Sequence, residues 1–149
     1  MSPESDAVRI RPPRPSDATA LAALAGELGY PSDSEALPGR LAAVHPTDAA
    51  VIVAADATDQ PIGWCHVELH RTLVEPLSAL IVGLIIGEEH RSAGVGARLL
   101  ATAEGWARAR GCARMLVATR ITRERAHRFY AREGYEMSKT SYFFAKSLD

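Results

Sequence analysis

Cysteine is nearly absent: Cys65 and Cys112 are the only two in 149 residues. Two thiols give neither a disulfide framework nor a metal-ligand pattern, so both read as ordinary small residues and no metal is expected. Excess charge is missing too. Seventeen Lys and Arg stand against eighteen Asp and Glu, a formal net charge of −1. That excludes the concentrated positive field that a nucleic-acid or membrane partner would need. Basic residues do gather between Arg108 and Arg132, but acids interleave them, as on a solvated helix face. No apolar run approaches the roughly 20 residues of a membrane span. The opening Met1-Ser2-Pro3-Glu4-Ser5-Asp6 lacks the basic-then-apolar order of a signal peptide, so the expectation is a cytoplasmic protein. Neither Gly-x-x-x-x-Gly-Lys-Ser/Thr nor Gly-x-Gly-x-x-Gly occurs, which argues against a nucleoside triphosphatase and a dinucleotide fold. There are no internal repeats and no low-complexity linker.

What the chain does have is apolar content, 47% of residues, enough for one compact core. Residues 1–7 are polar and expected to be a disordered tail; 8–149 are expected to form a single domain. One stretch organises the rest. Leu80–Ile86 is rich in Ile, Val and Leu, as a strand buried on both faces is. The turn Arg91-Ser92-Ala93-Gly94-Val95-Gly96 follows. Then Leu99, Leu100, Ala103, Trp106 and Ala107 recur at helical spacing up to Gly111. A strand feeding a glycine turn into a helix N-terminus makes an anion site. The first helical N–H groups have no internal partner, and the dipole's positive end lies there. Gly94 and Gly96 leave the backbone open to a phosphate, and Arg91 and Arg98 add positive charge at the rim.

The remaining elements follow from periodicity and punctuation. Val8–Arg11 reads as a strand, stopped by Pro12, Pro13 and Pro15. Ser16 or Asp17 caps a helix carrying Leu21, Leu24, Ala25 and Leu28, which Gly29 ends. Ser32–Glu35 signals a second short helix with Leu37, Leu41 and Val44. Ala49–Ala55 and Ile62–His70 form a hairpin, with Trp64, His66 and Glu68 on one face and Cys65, Val67 and Leu69 on the other. Arg114–Thr119 is a strand and Thr122–Glu133 a helix stopped by Gly134. Tyr135–Met137 and Ser141–Lys146 are expected as closing strands. This order implies an α/β class fold: a mixed, mostly antiparallel, twisted sheet flanked by helices on both faces.

Two segments together carry a family resemblance. Arg91-Ser92-Ala93-Gly94-Val95-Gly96 resembles the Arg/Gln-x-x-Gly-x-Gly/Ala acetyl-CoA loop of the GNAT superfamily of N-acetyltransferases. Ala126-His127-Arg128-Phe129-Tyr130-Ala131-Arg132-Glu133-Gly134-Tyr135 is similar to the superfamily's Ala-x-x-Phe-Tyr-x-x-x-Gly-Phe/Tyr segment. The resemblance implies acetyl transfer from acetyl-CoA to a primary amine of a small molecule, by direct attack in a ternary complex. It also implies a wedge between two splayed strands for the pantetheine arm. Backbone groups of Leu84, Ile85 and Ile86 would meet that arm. The amides of Ser92, Ala93, Gly94, Val95, Gly96 and Ala97 would hold the pyrophosphate, with Arg91 assisting. Tyr130 would protonate the leaving thiolate, since a phenol is protonated at neutral pH. A homodimer is common for the fold, although the sequence carries no interface signal. Two other readings stay open: a protein or peptide N-acetyltransferase, and an acyl-CoA-binding module without turnover.

The sequence departs from the superfamily at two places. Many members have Asn where this chain has Arg123, so no cofactor contact is assigned there. Many also carry Glu at the start of the central strand, where this chain reads Ser78-Ala79-Leu80-Ile81. The candidate base therefore moves to the neighbouring strand. His66 as a neutral imidazole could accept a proton, and Glu68 could do so or hold a substrate cation. Solvent-facing sheet residues, and a reaction without a dedicated base, are the alternatives. Tyr30, Glu68 and Tyr142 are the expected acceptor contacts, from the Gly29–Pro31 turn, the hairpin and the last segment.

Overall fold

The structure is a computed structural model that describes residues 7–27, 29, 35–91 and 93–149. Two compact units make up the chain, Met1–Ala118 and Thr119–Asp149. In the first lie β1 (Arg9–Arg11), α1 (Ala18–Glu27), α2 (Leu37–Ala42), β2 (Ala49–Ala55), β3 (Pro61–His70), β4 (Ser78–Ile86), α3 (Val95–Ala109) and β5 (Arg114–Val117). The second holds α4 (Glu124–Arg132).

The five strands form one sheet in the order β1-β2-β3-β4-β5. The first three pairings are antiparallel and β4–β5 is parallel, so the expected mixed sheet is found. The parallel pair is joined through α3, as a crossover connection requires. Alternation along β3 places helices on both faces. The Trp64 indole Nε1 donates to the Leu21 carbonyl of α1 at 3.2 Å. Gly63 points the other way, where an added Cβ would lie 3.4 Å from Leu99 of α3. Leu99, Leu100, Val53, Val67, Val95 and Cys65 are fully buried and form the centre of the core.

Both outer strands are short, and each covers only half of its neighbour. β1 pairs with Val53, Ala54 and Ala55 alone. Pro12 and Pro13 then end the ladder, because proline has no N–H to give. β5 pairs only with Ser78–Ile81, so β4 runs past its neighbour from Val82 to Ile86. At that point β4 also bulges: His66 lies opposite Gly83 and Val67 opposite Ile81, leaving Val82 unopposed and 45% exposed.

A buried charge cluster fastens β1. Arg11 donates to Asp17 at 2.8 and 3.0 Å and to Asp59 at 2.9 Å. Asp17 also accepts the Arg14 backbone N–H at 2.7 Å. It therefore closes the short 3-10 turn Pro15–Asp17 that leads into α1, as the third residue of a capping box whose N-cap is Arg14. The Arg11 guanidinium holds the Asp17 carboxyl below the usual carboxylate range, against the opposing effect of burial.

Two expectations need correction. Arg98 is not a rim charge: its guanidinium donates to the Val8 carbonyl at 2.9 Å and ties the chain entering β1 to α3. Nor are Tyr135–Met137 and Ser141–Lys146 strands; among the described residues none follows Val117. A strand needs a ladder partner, and the described part of Thr119–Asp149 contains one helix and no other extended element. Phe143 and Phe144 are adjacent, so no single-faced alternation covers both, and both are exposed. The Ser32–Glu35 capping signal falls mostly outside the described residues.

Candidate cofactor and active site

The backbone pattern of β4 can be read from one bond. Gly87 N–H donates to the Ile62 carbonyl at 2.8 Å. Hydrogen-bonded pairs in an antiparallel ladder recur at every second residue. Ile85 and Gly83 therefore direct their polar groups towards Trp64 and His66 of β3. Leu84 and Ile86 direct theirs to the opposite edge, which β5 leaves uncovered. The Ile86 carbonyl accepts from Arg91 Nε at 3.4 Å, in keeping with this orientation. Of the three residues expected to meet a cofactor arm, Leu84 and Ile86 turn their backbone groups to the edge that β5 does not reach, the Ile86 carbonyl bonded to Arg91. The Ile85 side chain is buried, and its amide faces β3.

That edge leads into the turn before α3. Gly94 is the helix N-cap with φ +81 and ψ 4, a left-handed conformation that glycine adopts without strain. No side chain caps the helix, and nothing lies within 4 Å of where a Gly94 Cβ would be. The first helical bond is Arg98 N–H to the Gly94 carbonyl. The N–H groups of Val95, Gly96 and Ala97 thus have no partner within the helix. The Val95 side chain is buried beneath the turn and anchors it, while Ala93, Gly96 and Ala97 are half-buried. Arg91 lies back over the end of β4 through its bond to Ile86. Ser92 lies outside the described residues. The arrangement suits a chain of amides that ends in a diphosphate: edge hydrogen bonds first, then open helical N–H groups with the dipole behind them.

On the α1 face of the sheet, β3 carries Trp64, half-buried His66 and half-buried Glu68. The missing side chain of Gly83 makes room for the Trp64 ring; a Cβ there would come within 3.0 Å of it. Burial lowers the His66 pKa from the usual imidazole value, and the nearby Glu68 carboxylate opposes part of that shift. His66 is therefore neutral at pH 7 and able to accept a proton. Ser78, where a carboxylate is missing from the pattern, is buried, and its hydroxyl donates to the Pro76 carbonyl at 3.3 Å. In the β3–β4 loop, Leu73 and Val74 are fully exposed and Thr72 Oγ1 accepts the Glu75 N–H at 3.0 Å.

Within the second unit, Tyr130 sits in the last turn of α4. Gly134, at φ +93, lets the chain reverse. Tyr135 N–H then bonds the Tyr130 carbonyl at 2.9 Å, and Gly134 N–H bonds that of Ala131 at 3.1 Å. These are the paired bonds of a Schellman stop. The stop folds the Tyr135 ring back to 5.6 Å from the Tyr130 ring, while Phe129 meets Tyr130 edge-on at 5.1 Å. The spacing Phe-Tyr-x-x-x-Gly-Tyr is thus a device that fixes one phenol between two rings. Arg123 is the N-cap of α4 and gives it no side-chain bond, since a guanidinium has no acceptor. Tyr142 is 89% exposed in the segment without regular structure. Tyr30 lies outside the described residues. Among the described residues, no three His, Cys, Asp or Glu side chains are grouped to hold a metal.

Comparison with known proteins adds the following. The model of the acetyltransferase (GNAT) family matches residues 19–135. No curated protein sequence matches. Similar solved structures include an aminoglycoside N-acetyltransferase, AAC(6')-Iy, in complex with a CoA-S-monomethyl-acetylneamine bisubstrate analogue, at TM-score 0.82 and 18% identity over 95% of this chain and 99% of that one. Glucosamine-6-phosphate N-acetyltransferase from Arabidopsis thaliana is similar at TM-score 0.77 and 17% identity, over 95% and 99%. A protein described as a transcriptional regulator from Bacillus halodurans C-125 is similar at TM-score 0.79 and 23% identity, over 93% and 99%.

Proposed function

The chain belongs to the acetyltransferase (GNAT) family, and we propose that it moves an acetyl group from acetyl-CoA to the primary amine of a small molecule, in the cytoplasm, as a single domain over residues 8–149. The observation that carries this reading is the continuity of the uncovered β4 edge with the open N-terminus of α3 at Gly94. Acetyl-CoA, when bound, supplies an activated thioester. The chain's own residues do the rest. Leu84 and Ile86 hold the pantetheine amides along the sheet edge. The N–H groups of Val95, Gly96 and Ala97, with the Ser92–Gly94 turn and Arg91, hold the diphosphate. Gripping both partners in one complex removes much of the entropic barrier, about 7–11 kcal/mol for well-aligned groups.

Tyr130 gives its phenolic proton to the departing sulfur. His66, kept neutral by burial, takes a proton from the attacking ammonium or from a water beside it. Glu68 holds the acceptor's positive charge, with Tyr30 and Tyr142 bordering the acceptor. Similar solved structures include aminoglycoside and glucosamine-6-phosphate N-acetyltransferases, which supports a small amine rather than a peptide as acceptor.

Thermal unfolding with acetyl-CoA, using NAD and ATP as controls, tests the first half of this reading. Ligand at a hundredfold over Kd should add about 2.7 kcal/mol. A shift with acetyl-CoA alone is expected; none at millimolar ligand overturns the reading. Tyr130→Phe tests the second half. It should lower the rate of thiol release by roughly 10²–10⁴ with unchanged acetyl-CoA affinity, the usual worth of a positioned proton donor. An unchanged rate would remove Tyr130 from the chemistry.

A further inference from the structure

A second uncovered edge lies on the other side of the sheet, and nothing in the acetyl-transfer reading uses it. β1 stops opposite Val53, so β2 is bare from Ala49 to Ile52. Leu69 N–H donates to the Asp48 carbonyl at 2.8 Å, which sets the ladder's alternation. Ala50 and Ile52 therefore bond to β3, and Ala49 and Val51 turn their polar groups outward. The Ala49 N–H is taken by the His45 carbonyl at 3.0 Å. The Ala49 carbonyl and both polar groups of Val51 remain without a partner among the described residues.

Ala49, Ala50 and Val51 line a cleft of about 430 Å³. Its walls are apolar: Pro13, Pro38, Leu41, Val44 and the indole of Trp106. Arg110 closes one side, stacked over Trp106 at 4.2 Å with one nitrogen on the Trp106 carbonyl. No carboxylate pairs with Arg110 among the described residues. Arg14, also in the lining, pairs with Asp59, which Arg9 and Arg11 share. The cleft thus offers one amide-sized donor–acceptor pair, an apolar hollow and, in Arg110, a cation with no carboxylate partner among the described residues. The bare edge has only two outward positions, with Pro13 at one end and the chain entering β2 at the other. That is too short for a stable added strand, and about right for one amide.

We propose that this cleft binds a small carboxylate with an apolar body and one amide, such as an N-acylated amino acid. The ligand's amide pairs with Val51, its apolar group fills the space beside Leu41 and Trp106, and its carboxylate meets Arg110. The inference does not rest on acetyl transfer, since none of the residues assigned to that reaction lines the cleft.

Amide-resolved NMR titration of the full chain tests it, with N-acetyl-leucine as the probe. Saturable shifts are expected at the Val51 amide and the Trp106 indole. Two controls should bind at least about tenfold more weakly, a difference of about 1.4 kcal/mol. These are 4-methylpentanoate, which lacks the amide, and the methyl ester of the probe, which lacks the charge. Arg110→Gln, at an exposed position, should weaken the acid about tenfold and leave the ester unchanged. Leu41→Trp should fill the cleft and abolish binding. The proposal is overturned by no saturation at millimolar probe, by binding that survives Leu41→Trp, or by an acid that binds Arg110→Gln as tightly as it binds the parent. Val51→Pro deletes the outward N–H at a position where an edge strand tolerates proline. A dimer in the parent protein that Val51→Pro dissolves would assign the edge to a second copy and overturn the small-ligand reading.

Discussion

The two bare edges of this sheet arise in the same way and offer different chemistry. At each, a short outer strand uncovers half of the strand inside it: β5 uncovers β4 beyond Ile81, and β1 uncovers β2 before Val53. What differs is the surroundings. The β4 edge runs into a glycine-capped helix with three N–H groups that have no partner within the helix, so it continues as a donor array suited to a long anionic chain. The β2 edge is closed in by prolines, Leu41 and a cation stacked on Trp106, so it suits a short amide with an apolar body. Unpaired strand edges are a hazard that proteins ordinarily cover. Within the first unit each short outer strand leaves such an edge, and the helices beside it set the groups around it.

The largest expected effect strikes the strand that limits the β2 edge. Asp17→Ala removes the partner of half-buried Arg11 and the acceptor for Arg14 N–H. Breaking such a pair should cost about 3 kcal/mol in urea denaturation. Asp17 has a lowered folded pKa, so its contribution is full above the unfolded carboxylate value and is lost as pH falls through the folded one. The variant should therefore lose part of the acid-denaturation slope as well. If stability and slope are unchanged, the cluster does not hold β1 in place.

Gly94→Val separates the edges next. A β-branched residue forced to φ +81 costs about 1–2 kcal/mol. It also stands in front of the open helical N–H groups. Acetyl-CoA affinity by calorimetry should fall at least about tenfold, while N-acetyl-leucine titration is unaffected. Equal loss of both ligands would mean the two edges are not independent.

Leu84→Pro is the counterpart of Val51→Pro on the other edge. It removes one outward donor from β4 without touching the ladder to β3, a loss of about 1 kcal/mol of acetyl-CoA binding, the worth of one hydrogen bond. Unchanged acetyl-CoA affinity would mean that Leu84 N–H is not a contact.

The smallest effect concerns pH. Burial lowers the folded His66 pKa, so the unfolded chain takes up that proton first. The contribution of His66 is complete above the ordinary imidazole pKa and declines as pH falls towards the folded value. His66→Gln should slightly flatten the stability profile below the ordinary imidazole pKa, a small effect at a half-buried site. If His66 is the base, the same variant should also remove the acid limb of the kcat/KM profile. Survival of that limb would leave Glu68 or no dedicated base.

Local rules acting over a few residues were legible in the sequence. The αL stops at Gly29, Gly111 and Gly134, the strand–turn–helix at Gly94 and the alternation of Trp64, His66 and Glu68 against Cys65 and Val67 all follow from backbone sterics and side-chain period. So does the early end of β1 at Pro12. Register was not legible. That Ile85 faces β3 while Leu84 and Ile86 face the open edge depends on which pairs of a ladder exchange bonds, and a one-residue slip would reverse it. The length of the bare β2 edge depends equally on where β1 meets β2. Arg98 illustrates the same limit: its charge suggests a phosphate, and its place in α3 brings it to the Val8 carbonyl instead. Trp106 and Arg110 read from sequence as a helix face, and only the tertiary structure brings them to one cleft with Pro38 and Leu41. Sequence alone therefore determined the elements as far as α4, their glycine stops and the family-like motifs, because those are set by near neighbours in the chain, whereas the expected closing strands needed a ladder partner from elsewhere. Tertiary structure decided which backbone groups stay unpaired and what surrounds them, because each depends on contacts between residues far apart in sequence.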